Sequence, residues 1–362
     1  MLFRYFCYMK KNNYHVLGVM SGTSLDGVDV AECFFEISEE KKWNFKIGAS
    51  ETIEYPTIWK KTLQEAVHYS EEKLTGLNEN YTDYLSQIIS AFISKHKITT
   101  IDAVCSHGHT ILHKPEKEVT LQIGNLPKLA TLINETVVCD FRVQDVKLGG
   151  QGAPLVPIGD QLLFPDFDYC LNLGGFANCS YEKNGDRIAY DICPVNIVLN
   201  LYAEKLGQPY DDGGKMAASG EINEGLLNQL NHLNFYNEKP PKSLGLEWVQ
   251  AYIYPILEAS EETSRNILRT YVEHIAIQLA RQFSEGKKVL ITGGGVYNSF
   301  LIERLQAIRN VQIVIPSEEL IENKEALIFG LLGVLKLRDE VNCIASVTGA
   351  KQDHSSGMVF NI

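Results

Sequence analysis

Apolar positions fall into two repeated patterns along the chain. His15–Phe35, HVLGVMSGTSLDGVDVAECFF, reads as a strand, a turn rich in Gly, Ser and Thr, and a second strand. Tyr169–Tyr181, YCLNLGGFANCSY, repeats that order around a Gly-Gly turn. Val104 and Val137–Cys139 mark further core strands of the first half, and Val289–Thr292 one of the second. Apolar residues recurring at three and four predict helices over Leu77–His96 and Glu262–Phe283. Pro194–Leu206 reads as a shorter helix, with Pro194 at its first position, Cys193 as N-cap and Gly207 just past its end. Two α/β halves that each begin with a hairpin imply a duplicated architecture. A cleft between such halves is where small-molecule sites concentrate. The boundary is expected near 160–168, in LLFPDFD, giving a first lobe over 9–165 and a second over 166–362, with the C-terminal segment crossing back.

Composition narrows the function classes. The chain has 362 residues, 33 Lys+Arg against 45 Asp+Glu, and a net charge of −12. That excess of acid speaks against nucleic-acid partners, which need a basic face to displace counterions, and against anionic membranes. The longest apolar run, Ala326–Leu335, is ten residues, too short to span a bilayer. Arg4 interrupts the apolar start and no small-residue cleavage site follows, so no signal peptide is expected; Met9 offers a more usual start, making residues 1–8 an upstream extension. The eight cysteines lack CxxC spacing, and Cys33, Cys105, Cys139 and Cys170 lie in apolar stretches, as reduced core thiols of a cytosolic protein do.

Several segments carry candidate chemistry. In Gly22–Asp29, GTSLDGVD, glycines let a ligand approach the backbone, while turn amides and the hydroxyls of Thr23 and Ser24 suit phosphate oxygens. Asp26 suits Mg²⁺, which takes carboxylate, phosphate and water oxygens. The plain alternative is a hairpin turn, since Asp-Gly is a common hairpin dipeptide. NLGGFAN (172–178) and TGGGVYN (292–298) follow apolar strands and fit either close nucleotide approach or tight turns. Neither a GxGxxG fingerprint nor a Walker P-loop is present. In DFRVQDVKLGGQGAP (140–154), Arg142 can fork to a carboxylate, and the glycines imply a backbone-lined wall; an ordinary loop with an Arg–Asp pair is the alternative. In YDICPVN, Asp191 near a helix start is a candidate general base or a turn-fixing Asp. In SHGHTILHKP, no helical ligand pair supports a metal; His107 reads as a structural histidine and His109 as a sugar contact.

Together these segments resemble a known family. MSGTSLDGVD, SHGHT, QIGN, DFR…DV…GGQGAPLVP, NLGGFAN, YDICPVN, DDGG…AASG, KSLG.E, TGGGVYN and EALIFG stand in the order found in anhydro-N-acetylmuramic acid kinases, from Val16 to VTGA at Val347–Ala350. The resemblance implies two duplicated actin-like ATPase (ribonuclease H-like) domains with a central cleft, in the sugar kinase/heat-shock 70/actin superfamily. It implies a cytoplasmic enzyme of cell-wall recycling, using ATP and Mg²⁺ on an anhydro sugar, with small-molecule partners and room for a homodimer. Carried over by residue, Gly22, Thr23, Ser24, Leu25, Asp26, Gly27, Val28 and Asp29 match the ATP-phosphate segment, with Asp26 toward the metal. Gly174, Gly175, Asn178, Gly293, Gly294, Gly295 and Asn298 match the nucleotide-binding turns. Asp191 matches the catalytic aspartate. His109, Arg142, Gln151, Gly152 and Glu325 match the sugar side. The chain departs from the family pattern where Cys193 and Val195 replace glycines, His109 replaces Gln, and Leu246 replaces an Arg.

The implied chemistry is coherent. Opening the 1,6-anhydro bridge is acetal cleavage at C1, with oxocarbenium character. The departing O6 captures the γ-phosphoryl group while Asp191 takes a proton from attacking water, and Arg142 pairs with the lactyl carboxylate. The alternatives are a plain sugar kinase acting on a free hydroxyl, and a non-catalytic sugar-binding paralogue.

Overall fold

A computed structural model describes residues 11–22 and 25–362. Thr23, Ser24 and the extension at residues 1–8 lie outside the described residues. The chain divides into two compact units, residues 1–163 with 323–362, and residues 164–322.

The first unit is a mixed sheet. β1 (Asn13–Ser21), β2 (Gly27–Ile37) and β3 (Trp43–Glu54) form an antiparallel meander, while β1 runs parallel to β4 (Ala103–Lys114), and β4 parallel to β6 (Val137–Cys139). β5 (Val119–Ile123) folds back on β4, and β12 (Met358–Phe360) closes the edge beside β6. Alternation along the strands aims Leu17, Val19, Val30 and Val104 at one face. There the helix Glu71–Lys95 lays Leu77, Tyr81, Leu85 and Ile89 against them. This helix starts ahead of the predicted Leu77 because the Ser70 hydroxyl accepts from Lys73 N–H as an N-cap. Each such fully buried large apolar side chain contributes roughly 1.5–3 kcal/mol.

The opposite face receives the helix Glu318–Leu337, which contains the long apolar run. Three glycines permit its close approach. Gly18 of β1 meets the Ala326 carbonyl, Gly330 lies beside Val16, Cys33 and Phe35, and Gly333 sits against Cys105. No helix among the described residues is long and apolar enough to cross a membrane. The seven described cysteines are free and buried.

The second unit repeats the plan. β7 (Tyr169–Leu173), β8 (Phe176–Lys183) and β9 (Asp186–Pro194) form an antiparallel meander, and β7 runs parallel to β10 (Lys288–Thr292), itself parallel to β11 (Gln312–Val314). The strand order β3-β2-β1-β4-β6 is thus matched by β9-β8-β7-β10-β11. This repeat is the duplicated α/β plan expected from the paired hairpins. The helix Ser264–Ala280, capped by Thr263, buries Leu268, Tyr271, Val272 and Ile275 in the core of this unit.

One local expectation is corrected. Pro194 is the last residue of β9, not the first of a helix; the helix is Asn196–Glu204 with Val195 at its N-cap. Pro194 still aligns with Phe176 in the ladder, and its carbonyl accepts from the buried Tyr271 hydroxyl. Asp191 therefore sits within a strand, and the helix-dipole argument made for it loses force.

Candidate functional site

In the first unit, the β1–β2 hairpin presents its turn next to a buried polar chain. Leu25 takes a positive φ of 60° and Asp26 is exposed at the tip. A Cβ at Gly27 would lie 2.4 Å from the Ile53 carbonyl oxygen, so this glycine lets β3 press against the hairpin base. Val28 is buried and Asp29 half-buried, with Asp29 accepting from Thr52 Oγ1 at 2.6 Å. A register shift after Val19 places Ser21 opposite His109. Ser21 Oγ lies 2.8 Å from His109 Nδ1 and 2.6 Å from the Tyr55 hydroxyl, which continues to Tyr81. Burial pushes His109 down to about 4 and Tyr55 up to about 12, so the chain is uncharged at neutral pH. His109 is buried with Nδ1 engaged, which leaves only Nε2 for the sugar contact expected of it.

The glycine loop after β6 is organised by two side chains. Arg142 donates Nε–H to His107 Nε2 at 2.8 Å and Nη1–H to the Gly152 carbonyl at 2.7 Å. His107 Nδ1 faces the Gly108 carbonyl at 2.9 Å, which fixes the neutral tautomer that can accept from Arg142. Arg142 thus pairs with a histidine and a carbonyl, not with a loop Asp. Burial pulls Arg142 down to about 10, partly offset by Glu325 and Asp145. Glu325 is exposed by its accessible surface; crowding by the surrounding protein raises its carboxyl and the Arg142 guanidinium opposes that rise. Gln151 is exposed, with its N–H donated to the Thr348 carbonyl.

The residue that sequence reasoning missed here is Asp145. Wholly buried, it accepts from Gly152 N–H at 2.6 Å, Thr348 Oγ1 at 2.7 Å and Cys343 Sγ at 3.1 Å. A Cβ on Gly150 would fall 2.2 Å from its carboxylate, and Gly149 and Gly152 hold positive φ. The glycine spacing of this loop follows from the carboxylate beneath it. The three histidines of SHGHTILHKP do not converge: His107 meets Arg142, His109 meets Ser21, and exposed His113 meets Thr120.

In the second unit, β8 and β9 carry a bulge. Ala177 pairs with Cys193 but Asn178 pairs with Asp191, leaving Ile192 as the extra residue. The bulge re-aims Asp191 beside exposed Asn178. Asp191 Oδ2 accepts from Leu244 N–H at 2.8 Å, while Oδ1 accepts no hydrogen bond among the described residues. Burial raises its carboxyl, and the Leu244 amide pulls the other way. Cys193 and Val195, where the sequence reading expected glycines of the family pattern, are both fully buried in the core.

The two glycine turns of this unit adjoin each other. Gly174 and Gly175 link β7 to β8, and their carbonyls accept from Asn196 and Val195. Gly293 has φ +83°, and a Cβ there would lie 2.6 Å from Asn172 Oδ1 and 2.8 Å from the Leu173 carbonyl. Gly294 is exposed, with open space where a side chain would stand, while Gly295 packs on Leu173. Asn298 is buried, and its Oδ1 caps the helix Ser299–Ile308 by accepting from Leu301 N–H at 3.0 Å.

The profile of the anhydro-N-acetylmuramic acid kinase family matches residues 14–362. The chain is 32% identical to the anhydro-N-acetylmuramic acid kinase of Vibrio cholerae, over 95% of this chain and 97% of that protein. It is 34% identical to that of Shewanella baltica strain OS185, over 82% of this chain and 84% of that protein. Among solved structures, it resembles the activator of 2-hydroxyisocaproyl-CoA dehydratase from Clostridium difficile with bound ADPNP (12% identity, 90% of this chain and 96% of that chain, TM-score 0.45). It also resembles the xylulose kinase of Lactobacillus acidophilus (13% identity, 94% and 93% covered, TM-score 0.44).

Proposed function

The chain belongs to the anhydro-N-acetylmuramic acid kinase family, and from that premise we propose which of its residues carry the reaction. The enzyme is a phosphotransferase with an alcohol group as acceptor. It cleaves the 1,6-anhydro bridge of anhydro-N-acetylmuramic acid with water and passes the γ-phosphoryl group of ATP to O6. The products are N-acetylmuramic acid 6-phosphate and ADP, and the setting is cytoplasmic cell-wall recycling.

Asp191 is the general base. The supporting observation is its partly desolvated carboxylate, oriented through Oδ2 by the Leu244 amide while Oδ1 accepts no hydrogen bond among the described residues. Such a group accepts a proton from water more readily than a hydrated Asp. As that water attacks C1, O6 leaves and is captured by phosphorus, so its charge never has to be met by a strong acid. Arg142, pinned by His107 and Gly152, presents a fixed guanidinium to the substrate carboxylate, and Gln151 and Glu325 line the same side. The turns at Gly174–Gly175 and Gly293–Gly295, with Asn178, hold the nucleotide, and the hairpin amides meet the phosphates. Positioning supplies most of the remaining acceleration, as is general for phosphoryl transfer.

The donor set at the hairpin fits Mg²⁺: Asp26 is exposed and bonds no described side chain, which suits an ion that keeps much of its water. Asp26 would hold the ion, which when bound neutralises charge on the phosphates.

Turnover in ¹⁸O-water with ATP and the anhydro sugar tests the reading. It predicts label at C1 and phosphate on O6. Phosphorylation without label would make the protein a plain hydroxyl kinase, and binding without turnover a sugar-binding protein.

A further inference from the structure

Beneath the glycine loop lies a buried cluster for which the reaction above has no use. Asp145, Cys343 and His354 are 0%, 1% and 6% exposed, and one donor atom from each lies within 4.8 Å of the others. We propose that these three side chains form a binding site for a thiophilic divalent cation of the zinc class, one that locks the loop 149–152 to the C-terminal segment.

The scaffold places the ligands. Cys343 and His354 face each other across an antiparallel bridge, each N–H donated to the other's carbonyl at 3.1 Å. Such a pairing sets the two side chains next to each other. Asp145 approaches from the helix Val143–Lys147, with Oδ1 3.1 Å from Cys343 Sγ and 3.7 Å from His354 Nε2. A tetrahedral zinc site, with ligand distances of about 2.0–2.3 Å, has edges of roughly 3.3–3.5 Å between donors; the two edges from Asp145, 3.1 and 3.7 Å, lie on either side of that, and the third is within 4.8 Å.

The histidine supplies the independent sign. His354 Nδ1 faces the Gln352 carbonyl at 3.1 Å, and a carbonyl can only accept, so Nδ1 carries the hydrogen. Nε2 is buried and has no hydrogen-bond partner among the described residues, although it points toward Asp145. This is the arrangement of a metal-bound histidine, whose second nitrogen is committed to a backbone carbonyl. A cation held between Nε2 and the Asp145 carboxylate, now 3.7 Å apart, would engage both. Thr348 Oγ1, donating to Asp145 Oδ1, and Gly152 N–H, donating to Oδ2, provide the outer shell. The mixed sulfur, nitrogen and oxygen donor set selects zinc-like ions over Mg²⁺, which prefers oxygen alone. Binding converts the Cys343 thiol to a metal thiolate and releases its proton to solvent.

The test uses the full-length protein, produced in minimal medium supplied with zinc or with cobalt alone and purified without chelators or immobilised metal. One metal ion per chain is expected, with a near-ultraviolet thiolate-to-cobalt charge-transfer band in the cobalt form. Cys343→Ser abolishes the band, and Thr348→Val, which touches only the outer shell, weakens retention about tenfold to a hundredfold in a chelator competition. Wild-type protein carrying neither metal overturns the proposal without recourse to any variant. Metal bound without the charge-transfer band overturns it equally.

Discussion

Replacing Asp191 by Asn separates the catalytic carboxylate from its structural role. The side chains are isosteric, and the Asn carbonyl can keep the 2.8 Å hydrogen bond from Leu244 N–H. The position of the unbonded Oδ1 becomes an NH₂ group, which donates and cannot take a proton from water. Loss of a positioned general base costs about a hundredfold to ten-thousandfold in kcat, or roughly 3–5.5 kcal/mol. Stability moves the other way. Burial raises the folded-state pKa of Asp191, so its contribution is fully present below the unfolded pKa of 3.8 and is lost as pH rises through the raised value. At neutral pH the ionised carboxylate is a net liability to the fold, and Asn removes it. The variant is expected to unfold at the same or a higher temperature at pH 7, to bind ATP as before, and to release ADP at the reduced rate. A coupled ADP assay, nucleotide titration calorimetry and a thermal melt give the three readouts. A variant with near-wild-type turnover refutes the assignment, and one that loses turnover together with stability refutes the reasoning from burial.

Three further outcomes follow from the geometry. His109 is held near 4 by burial, so its contribution to stability is fully present above pH 6.5 and is lost as pH falls toward 4; His109→Gln should remove about 3 kcal/mol of acid-induced destabilisation, read from urea unfolding across that range. Arg142→Lys cannot reach both His107 Nε2 and the Gly152 carbonyl, and should raise the KM for the anhydro sugar about tenfold to a hundredfold while leaving that for ATP unchanged in steady-state kinetics. In Gly18→Ala the new methyl would lie 1.9 Å from the Ala326 carbonyl oxygen, backbone against backbone, and should cost about 3 kcal/mol or more in urea unfolding; unchanged stability would show that the helix is free to retreat.

The paired hairpins, the parallel strands at Val137–Cys139 and Val289–Thr292, and the two long helices were legible because period-two and period-3.6 patterns are local properties of a chain. The bulge that turns Asp191 toward Asn178 was not, since one inserted residue leaves the alternation readable in either register. Pro194 was misread for a related reason: a proline before an apolar run looks like a helix start, but the ladder to Phe176 and the Tyr271 hydroxyl keep it in the strand. Arg142 and the glycines around it were visible as a motif. Their organiser, Asp145, draws its partners from Cys343 and Thr348, some 200 positions away, and no local pattern encodes such a meeting.

The unit boundaries bear on how this polypeptide matures. Residues 164–322 form an uninterrupted stretch, whereas the other unit completes itself only with residues 323–362. Its edge strand β12 and most of the helix lining one sheet face are therefore synthesised after the whole of the other unit. Synthesis proceeds from the N-terminus, so the later-encoded unit can close first while the earlier one waits with an apolar sheet face uncovered. Removing residues 323–362 strips support from the unit whose other strands were made earlier.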